Sequence, residues 1–338
     1  MTTATLSPTT APGETQDRPR RTRSKTFDWK LLLGVLAVLV LVTTSLFVGV
    51  YDIFSNPDGA RIFAITRVPR TIALVLAGAA MAMCGLVMQL LTQNRFVEPT
   101  TTGTTEWAGL GLLFVLLAFP GAGLMPRMIG AITFAFVGTM VFFAFLRKVA
   151  LRSSLIVPIV GIMLGAVVSS ISTFIALKFN MLQSLSSWFA GSFTAVLKGQ
   201  YEVLWLVALV VVAVFVLADR LTAAGLGQDI ATNIGVNYNQ IILIGTMLVA
   251  IAAGVVTVVV GNLPFLGLIV PNLVSMLRGD DLRSNLPWVC LLGIGLITLC
   301  DIVGRVLIMP FEVPVSLVLG VVGAAVFIFL VVKQQRRG

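Results

Sequence analysis

Apolar runs dominate the chain, and polar residues gather in short breaks between them. A helix that crosses a bilayer needs about 20 mostly apolar residues. Runs near that length recur ten times, at about 31–50, 67–91, 103–120, 128–146, 155–177, 201–218, 239–260, 264–277, 287–304 and 314–332. The pattern predicts an all-α polytopic membrane protein with about ten transmembrane helices. The eighth run is short, so it is expected to be tilted, broken or partly re-entrant. Residues 1–30 differ in kind. They are rich in Thr, Pro and Arg without an apolar period, which predicts a disordered basic tail ahead of a single transmembrane domain over 31–335. The first apolar run is not a cleaved signal peptide, because it follows a long polar stretch and no small-residue cleavage site comes after it.

Composition narrows the class. Of 338 residues, 58% are hydrophobic and 11% charged, against about 25% charged in soluble domains. So few charges cannot cover a water-facing globule. Histidine is absent, which removes imidazole-based catalysis and His-ligated metal or haem. No Gly-Lys dipeptide occurs, so the chain has no phosphate-binding loop of the GxxxxGK type. Cys84, Cys290 and Cys300 lie far apart in apolar runs and read as buried small hydrophobes, with no metal site expected.

The net charge of +9 follows the membrane. Arg18, Arg20, Arg21, Arg23, Lys25 and Lys30 place the N-terminus in the cytoplasm by the positive-inside rule. With ten spans the C-terminus, carrying Lys333, Arg336 and Arg337, is cytoplasmic too. That topology puts 16 of the 23 Lys and Arg residues inside. A nucleic-acid surface is not indicated, because no folded basic face with interleaved aromatics is present.

The basic residues on the other side run against this bias. Arg67 and Arg70 sit in Arg67-Val68-Pro69-Arg70, directly before a helix, and Arg305 follows the ninth run. They read either as interfacial anchors with snorkelling side chains or as a rim for an acidic partner, since Arg forks match carboxylates. Glu106 and Asp301 are the ionisable groups near span ends, and Asp301 is four residues before Arg305, a spacing that pairs them on one helix face. A proton-coupled carrier would require acids near the midplane, and almost none are evident. In the fifth run, Gly161 and Gly165 have close-packing spacing. Ser169, Ser170, Ser172 and Thr173 beyond them either bond backbone carbonyls or line a polar path.

Two cytoplasmic stretches are distinctive. One is the polar turn Thr92 to Pro99. The other is the loop at about 220–238, where Leu226, Ile230 and Ile234 recur every four residues between Gly225, Gly227 and Gly235. That is a short amphipathic helix bracketed by glycines. Its apolar stripe suits a protein partner or the lipid interface.

These segments, RVPRTIALVLAGAAMAMCGLVMQLLTQN (67–94), VEPTTTGT (97–104), GLGQDIATNIGVN (225–237), GNLPFLGLIVPNLV (261–274) and DIVGRVLIMPFEVPVSLVLGVVGAAVFIFLVV (301–332), resemble the FecCD-type permeases of ATP-binding-cassette importers for iron-siderophores, haem and cobalamin. The resemblance covers nearly everything after the tail. It implies the type II ABC importer permease fold. It also implies a second permease subunit, two cytoplasmic ATPases that use ATP and Mg, and an extracytoplasmic substrate-binding protein. No cofactor is expected on this chain. Carried over by position, Arg67, Arg70 and Arg305 would dock the binding protein. Gly225, Gln228, Asp229, Ile230, Ile234 and Gly235 would form the coupling helix for the ATPase. Asn94, Phe96, Ser153 and Ser154 would form the cytoplasmic gate, and the fifth span would line the path. The sequence departs from the family where its common Asn-Pro-Leu reads Asn94-Arg95-Phe96 and its common Pro-His reads Pro271-Asn272. Both variants resemble the branch importing catecholate-type ferric siderophores into bacteria. Haem or cobalamin import is the alternative within the family, and an ion-coupled secondary transporter the alternative outside it.

Overall fold

The computed structural model describes residues 29–49, 58–148 and 156–335. Among them no strand is present, and the chain forms twelve helices. They are α1 (Trp29–Phe47), α2 (Gly59–Thr92), α3 (Thr104–Ala118), α4 (Leu124–Leu146), α5 (Ile156–Lys178) and α6 (Leu182–Phe189). There follow α7 (Tyr201–Gly225), α8 (Gln228–Asn233), α9 (Tyr238–Val259), α10 (Leu266–Arg278), α11 (Leu282–Val306) and α12 (Val315–Gln335). Seven are long and apolar enough to cross a membrane, and α3, α10 and α12 contain shorter apolar stretches. Each of the ten apolar runs coincides with one of these ten helices. Helix is the only open-ended way to satisfy every backbone polar group within a single segment in lipid.

The second helix departs from its expected start. It begins at Gly59 rather than near residue 67, and a π-helical turn occupies Phe63–Arg67. Arg67 and Arg70 therefore lie within a continuous helix and not ahead of one. The tail expected over 1–30 falls outside the described residues except for Trp29 and Lys30, which open α1. Ser153 and Ser154 also lie outside them. The short helix α6 has no counterpart among the ten runs.

Helix α2 is the axis of the bundle, with most of its apolar window buried. It packs on α11, α7, α10 and α9. Small residues permit this. A Cβ on Gly85 would lie 1.9 Å from the carbonyl oxygen of Gly267, so α2 and α10 touch backbone to backbone. Pro271 has no N–H to offer the Gly267 carbonyl one turn back, and Gln89 Nε2 of α2 donates to that oxygen at 3.3 Å. The close-packing pair Gly161 and Gly165 of α5 takes up the loop before α3. A Cβ on Gly161 would meet the Thr101 carbonyl oxygen at 2.2 Å, and Gly165 faces Gly103.

Helices α3 and α10 are too short for a complete crossing. With 15 and 13 residues at about 1.5 Å per residue, they reach about 20 Å, against a hydrocarbon core of about 30 Å. Each starts from a left-handed residue, Gly103 (φ 80°) and Phe265 (φ 63°). Each is preceded by non-helical backbone, residues 93–103 and 260–265. Such backbone persists at membrane depth only where protein surrounds it, and both segments are largely buried.

Candidate functional site

At one end of the bundle α2, α11 and the turn before α12 assemble a charged cluster. Asp301, 2% exposed, forms its centre. Its carboxylate lies 2.8 Å from Arg70 Nη2 and 2.8 Å from Arg305 Nη2, so the pairing expected between Asp301 and Arg305 is present. Arg70 Nη1 also donates to both oxygens of Glu312, at 2.8 and 3.1 Å. Arg305 donates to the Ser45 and Val48 carbonyls, at 2.9 and 2.7 Å. It also donates to the Ser45 hydroxyl. Arg67 donates to the Leu46 and Val48 carbonyls, at 3.1 and 3.0 Å. The arginines thus cap the end of α1 and hold α2, α11 and the α11–α12 turn together. They are not extended into solvent: Arg67 and Arg305 are buried and Arg70 nearly so. A cavity of about 290 Å³ here is lined by Arg67, Arg70, Arg305, Thr194 and Glu312.

Glu312 was not distinguished by the sequence, although it sits between two prolines in a segment that otherwise reads as a simple turn. Burial alone would raise its carboxyl. The Thr194 hydroxyl, which donates at 2.6 Å, and the Arg70 guanidinium outweigh that and hold it below the usual carboxylate range.

Toward the opposite end, the segment 93–103 carries Asn94 and Phe96, both buried. Asn94 Oδ1 accepts from the Phe96 amide at 2.9 Å, which closes the turn. The Phe96 ring meets Phe327 of α12 edge-on at 5.7 Å. Asn272 Nδ2 donates to the Arg95 carbonyl at 2.7 Å, tying the turn to α10. Glu98, three residues beyond, is fully buried. It lies in a polar turn and not in a span, so no apolar run marks it.

The loop expected at about 220–238 forms α8, shorter than the periodicity suggests. Gly227 (φ 106°) and Gly235 (φ 82°) bracket it in conformations that glycine adopts without strain. Leu226, Ile230 and Ile234 are each about half exposed or more, and Asp229 lies in the first turn. Gly225 abuts Leu90 of α2. Gln228 lines a cavity of about 340 Å³ with Gln93, Arg147 and Asn239. Gly225 and Leu226 line another of about 390 Å³ with Asn94, Arg95 and Asn272. The segment carrying Asn94 and the segment opening α8 are therefore neighbours.

The hydroxyl group of α5 resolves toward backbone bonding. Ser170, Ser172 and Thr173 each donate to the carbonyl four residues back, at 2.8 to 2.9 Å. The exposed face of α5 is otherwise apolar, with Met163, Val167, Ile171 and Phe174. Among the described residues no group of three His, Cys, Asp or Glu side chains is placed to hold a metal ion.

A multi-helical membrane bundle with two part-length helices, an exposed apolar helix on one loop and an ionic cluster at the other end belongs to the class of polytopic transport proteins. The chain is a member of the FecCD transport family, which it matches over residues 31–333. It is 62% identical over 305 residues to the petrobactin import system permease protein FatD of Bacillus anthracis, covering 90% of this chain and 91% of that one. It is 41% identical to the petrobactin import system permease protein YclN of Bacillus subtilis (90% and 99% covered). It is 30% identical to the vitamin B12 import system permease protein BtuC of Escherichia coli (94% and 98%). Among solved structures, a metal-chelate type ABC transporter in an inward-facing conformation aligns with TM-score 0.78 at 25% identity, over 90% of this chain and 99% of that one. The fold is that of an ABC importer permease.

Proposed function

We propose that the chain is the permease subunit of an ATP-binding-cassette importer that carries a ferric siderophore across the cytoplasmic membrane, with petrobactin as the cargo. The observation that carries this reading is the 62% identity, over nine-tenths of both chains, to a petrobactin permease. The cobalamin permease matches at 30%, which favours iron-chelate over cobalamin as cargo. The permease works with a second permease subunit, two ATPases that supply hydrolysis of ATP with Mg, and an external binding protein. It has no ATPase site of its own, and both termini face the cytoplasm.

The geometry supports a division of labour. The α5 face that would line the path is largely apolar, and the hydroxyls of Ser170, Ser172 and Thr173 are engaged by its own carbonyls. Such a wall offers little to hold a large chelate, so release is easy and selection falls to the binding protein. The oxygens of Glu98 are occupied by donors of this chain, which favours a structural role over a proton-carrying one. Docking falls to the cluster of Arg67, Arg70 and Arg305, where a partner carboxylate would exchange with Glu312 for the Arg70 fork. The exposed stripe of Leu226, Ile230 and Ile234 would seat in the ATPase, with Gly225, Gln228, Asp229 and Gly235 shaping its turn. Asn94 and Phe96, with Ser153 and Ser154, would form the inner gate. The test is uptake of radioactive ferric petrobactin by proteoliposomes holding the complete complex. Uptake that requires ATP and the binding protein is expected. Uptake driven by an ion gradient without ATP would overturn the reading.

A further inference from the structure

Glu98 has no part in docking, in the coupling stripe or in the path, yet its carboxylate is the most heavily engaged in the bundle interior. Oε1 accepts from the Phe265 amide at 2.8 Å and from the Thr100 hydroxyl at 2.6 Å. Oε2 accepts from the Leu268 amide at 3.1 Å, and the Gly267 amide also bonds the carboxylate. These amides lie at the start of α10, where the helix dipole is positive and the first N–H groups lack full helical partners; the Leu268 amide also reaches the Phe265 carbonyl, at 3.2 Å. The helix begins inside the bundle, out of reach of bulk water. A carboxylate is the one side chain with acceptors on both oxygens and none of the surplus donors that an amide would bring. Gly267 makes room for it, since a Cβ there would approach Oε2 to 3.1 Å.

The same loop is fastened once more to α10 and once to the turn that follows it. Its Arg95 carbonyl accepts from Asn272, and the Arg95 guanidinium pairs with Asp280 at 2.8 Å. Phe265 and Phe96 both pack on Phe327, at 6.5 and 5.7 Å. Asn94 and Arg95 share a cavity wall with Gly225 and Leu226 of the coupling segment. The Arg95–Asp280 pair is exposed and contributes little. Glu98 is thus the strongest link between the loop and α10.

We propose that Glu98 is a positioning residue for the inner gate. Its carboxylate welds the segment carrying Asn94 and Phe96 to the first turn of α10, so that a displacement arriving from the coupling segment moves gate and half-helix as one body. This rests on the importer reading and on the gate assignment above.

The experiment uses the complete complex in proteoliposomes, with ferric petrobactin as probe, and reads chelate transported per ATP hydrolysed. Glu98→Gln keeps the volume but removes one acceptor. It is expected to lower that ratio at least ten-fold while ATP hydrolysis continues. Thr100→Val, which removes only the hydroxyl donor, is expected to lower it two- to five-fold and serves if Glu98→Gln does not assemble. Glu98→Asp, which keeps the charge on a shorter stem, is expected to recover part of the ratio lost in Glu98→Gln. A group that merely stabilised the fold would lower the melting temperature and the yield of complex but leave the ratio unchanged. A wild-type ratio in whichever of Glu98→Gln and Thr100→Val assembles overturns the proposal. Absence of ATP-dependent uptake in the unsubstituted complex would instead sink the importer reading.

Discussion

Replacing Asp301 by Asn tests whether the ionic cluster is held by charge. The substitution is nearly isosteric, yet it removes the anion lying 2.8 Å from two guanidinium nitrogens on separate arginines. Breaking a buried pair by removing one partner costs about 3–5 kcal/mol, because the other charge stays buried without compensation. Here the remaining charges keep some partners: Arg70 retains Glu312, and Arg305 retains the Ser45 and Val48 carbonyls. The lower end, about 3 kcal/mol, is therefore expected. In detergent, followed by tryptophan fluorescence, Asp301→Asn should melt several degrees below the parent protein. The companion variant Arg70→Met, Asp301→Leu, Arg305→Leu removes every charge of the cluster except those of Arg67 and Glu312. Swapping buried ion pairs for apolar residues of similar volume is often neutral. It should melt closer to the parent than the single substitution does, with Glu312→Gln added to avoid stranding that acid. An unchanged melting temperature for Asp301→Asn would refute the reasoning. So would an apolar variant as unstable as the single one, which would point to shape and not to unpaired charge.

Two further outcomes are expected. Because Arg70 and Thr194 hold the Glu312 carboxyl below its ordinary range, its contribution to stability is present above the unfolded value of about 4.3. It is lost as pH falls through the lower folded value. The melting difference between the parent and Glu312→Gln should accordingly be flat from neutral pH down to about 5 and shrink in stronger acid, and a difference that grows on acidification would contradict it. Ile230→Asp with Ile234→Asp places charge on an exposed stripe, where surface substitutions usually change stability by no more than about 0.5 kcal/mol. Co-purification of the ATPase should fall while the melting temperature of the isolated permease holds; retention of the ATPase would argue against this surface as its seat.

The ionic cluster also qualifies a simple docking test. Reversing Arg70 to Glu would set three carboxylates, its own with Asp301 and Glu312, against one another. Lost docking in that variant would report a broken cluster as readily as a lost contact. Glu312→Gln separates the two, because it frees the Arg70 fork without adding charge.

Which segments enter the membrane, and that they do so as helices, follows from apolar length alone. Partition into lipid is summed locally along each run, and backbone hydrogen bonding within the run is self-contained. The same locality made the Asp301–Arg305 pair legible, since four residues on one helix face suffice, and it marked the glycine-bracketed helix at 228–233. Tertiary structure decided the rest. Arg70 reaches Asp301 across 231 residues and Glu98 reaches Phe265 across 167, and no local pattern encodes which distant donor meets which carboxylate. The same holds for the arginines, which resembled an exposed rim in sequence and became a buried clasp. Their surroundings depend on where α1 ends and how α2 continues upstream. Burying charge in a bundle demands a partner, and partners are chosen by packing.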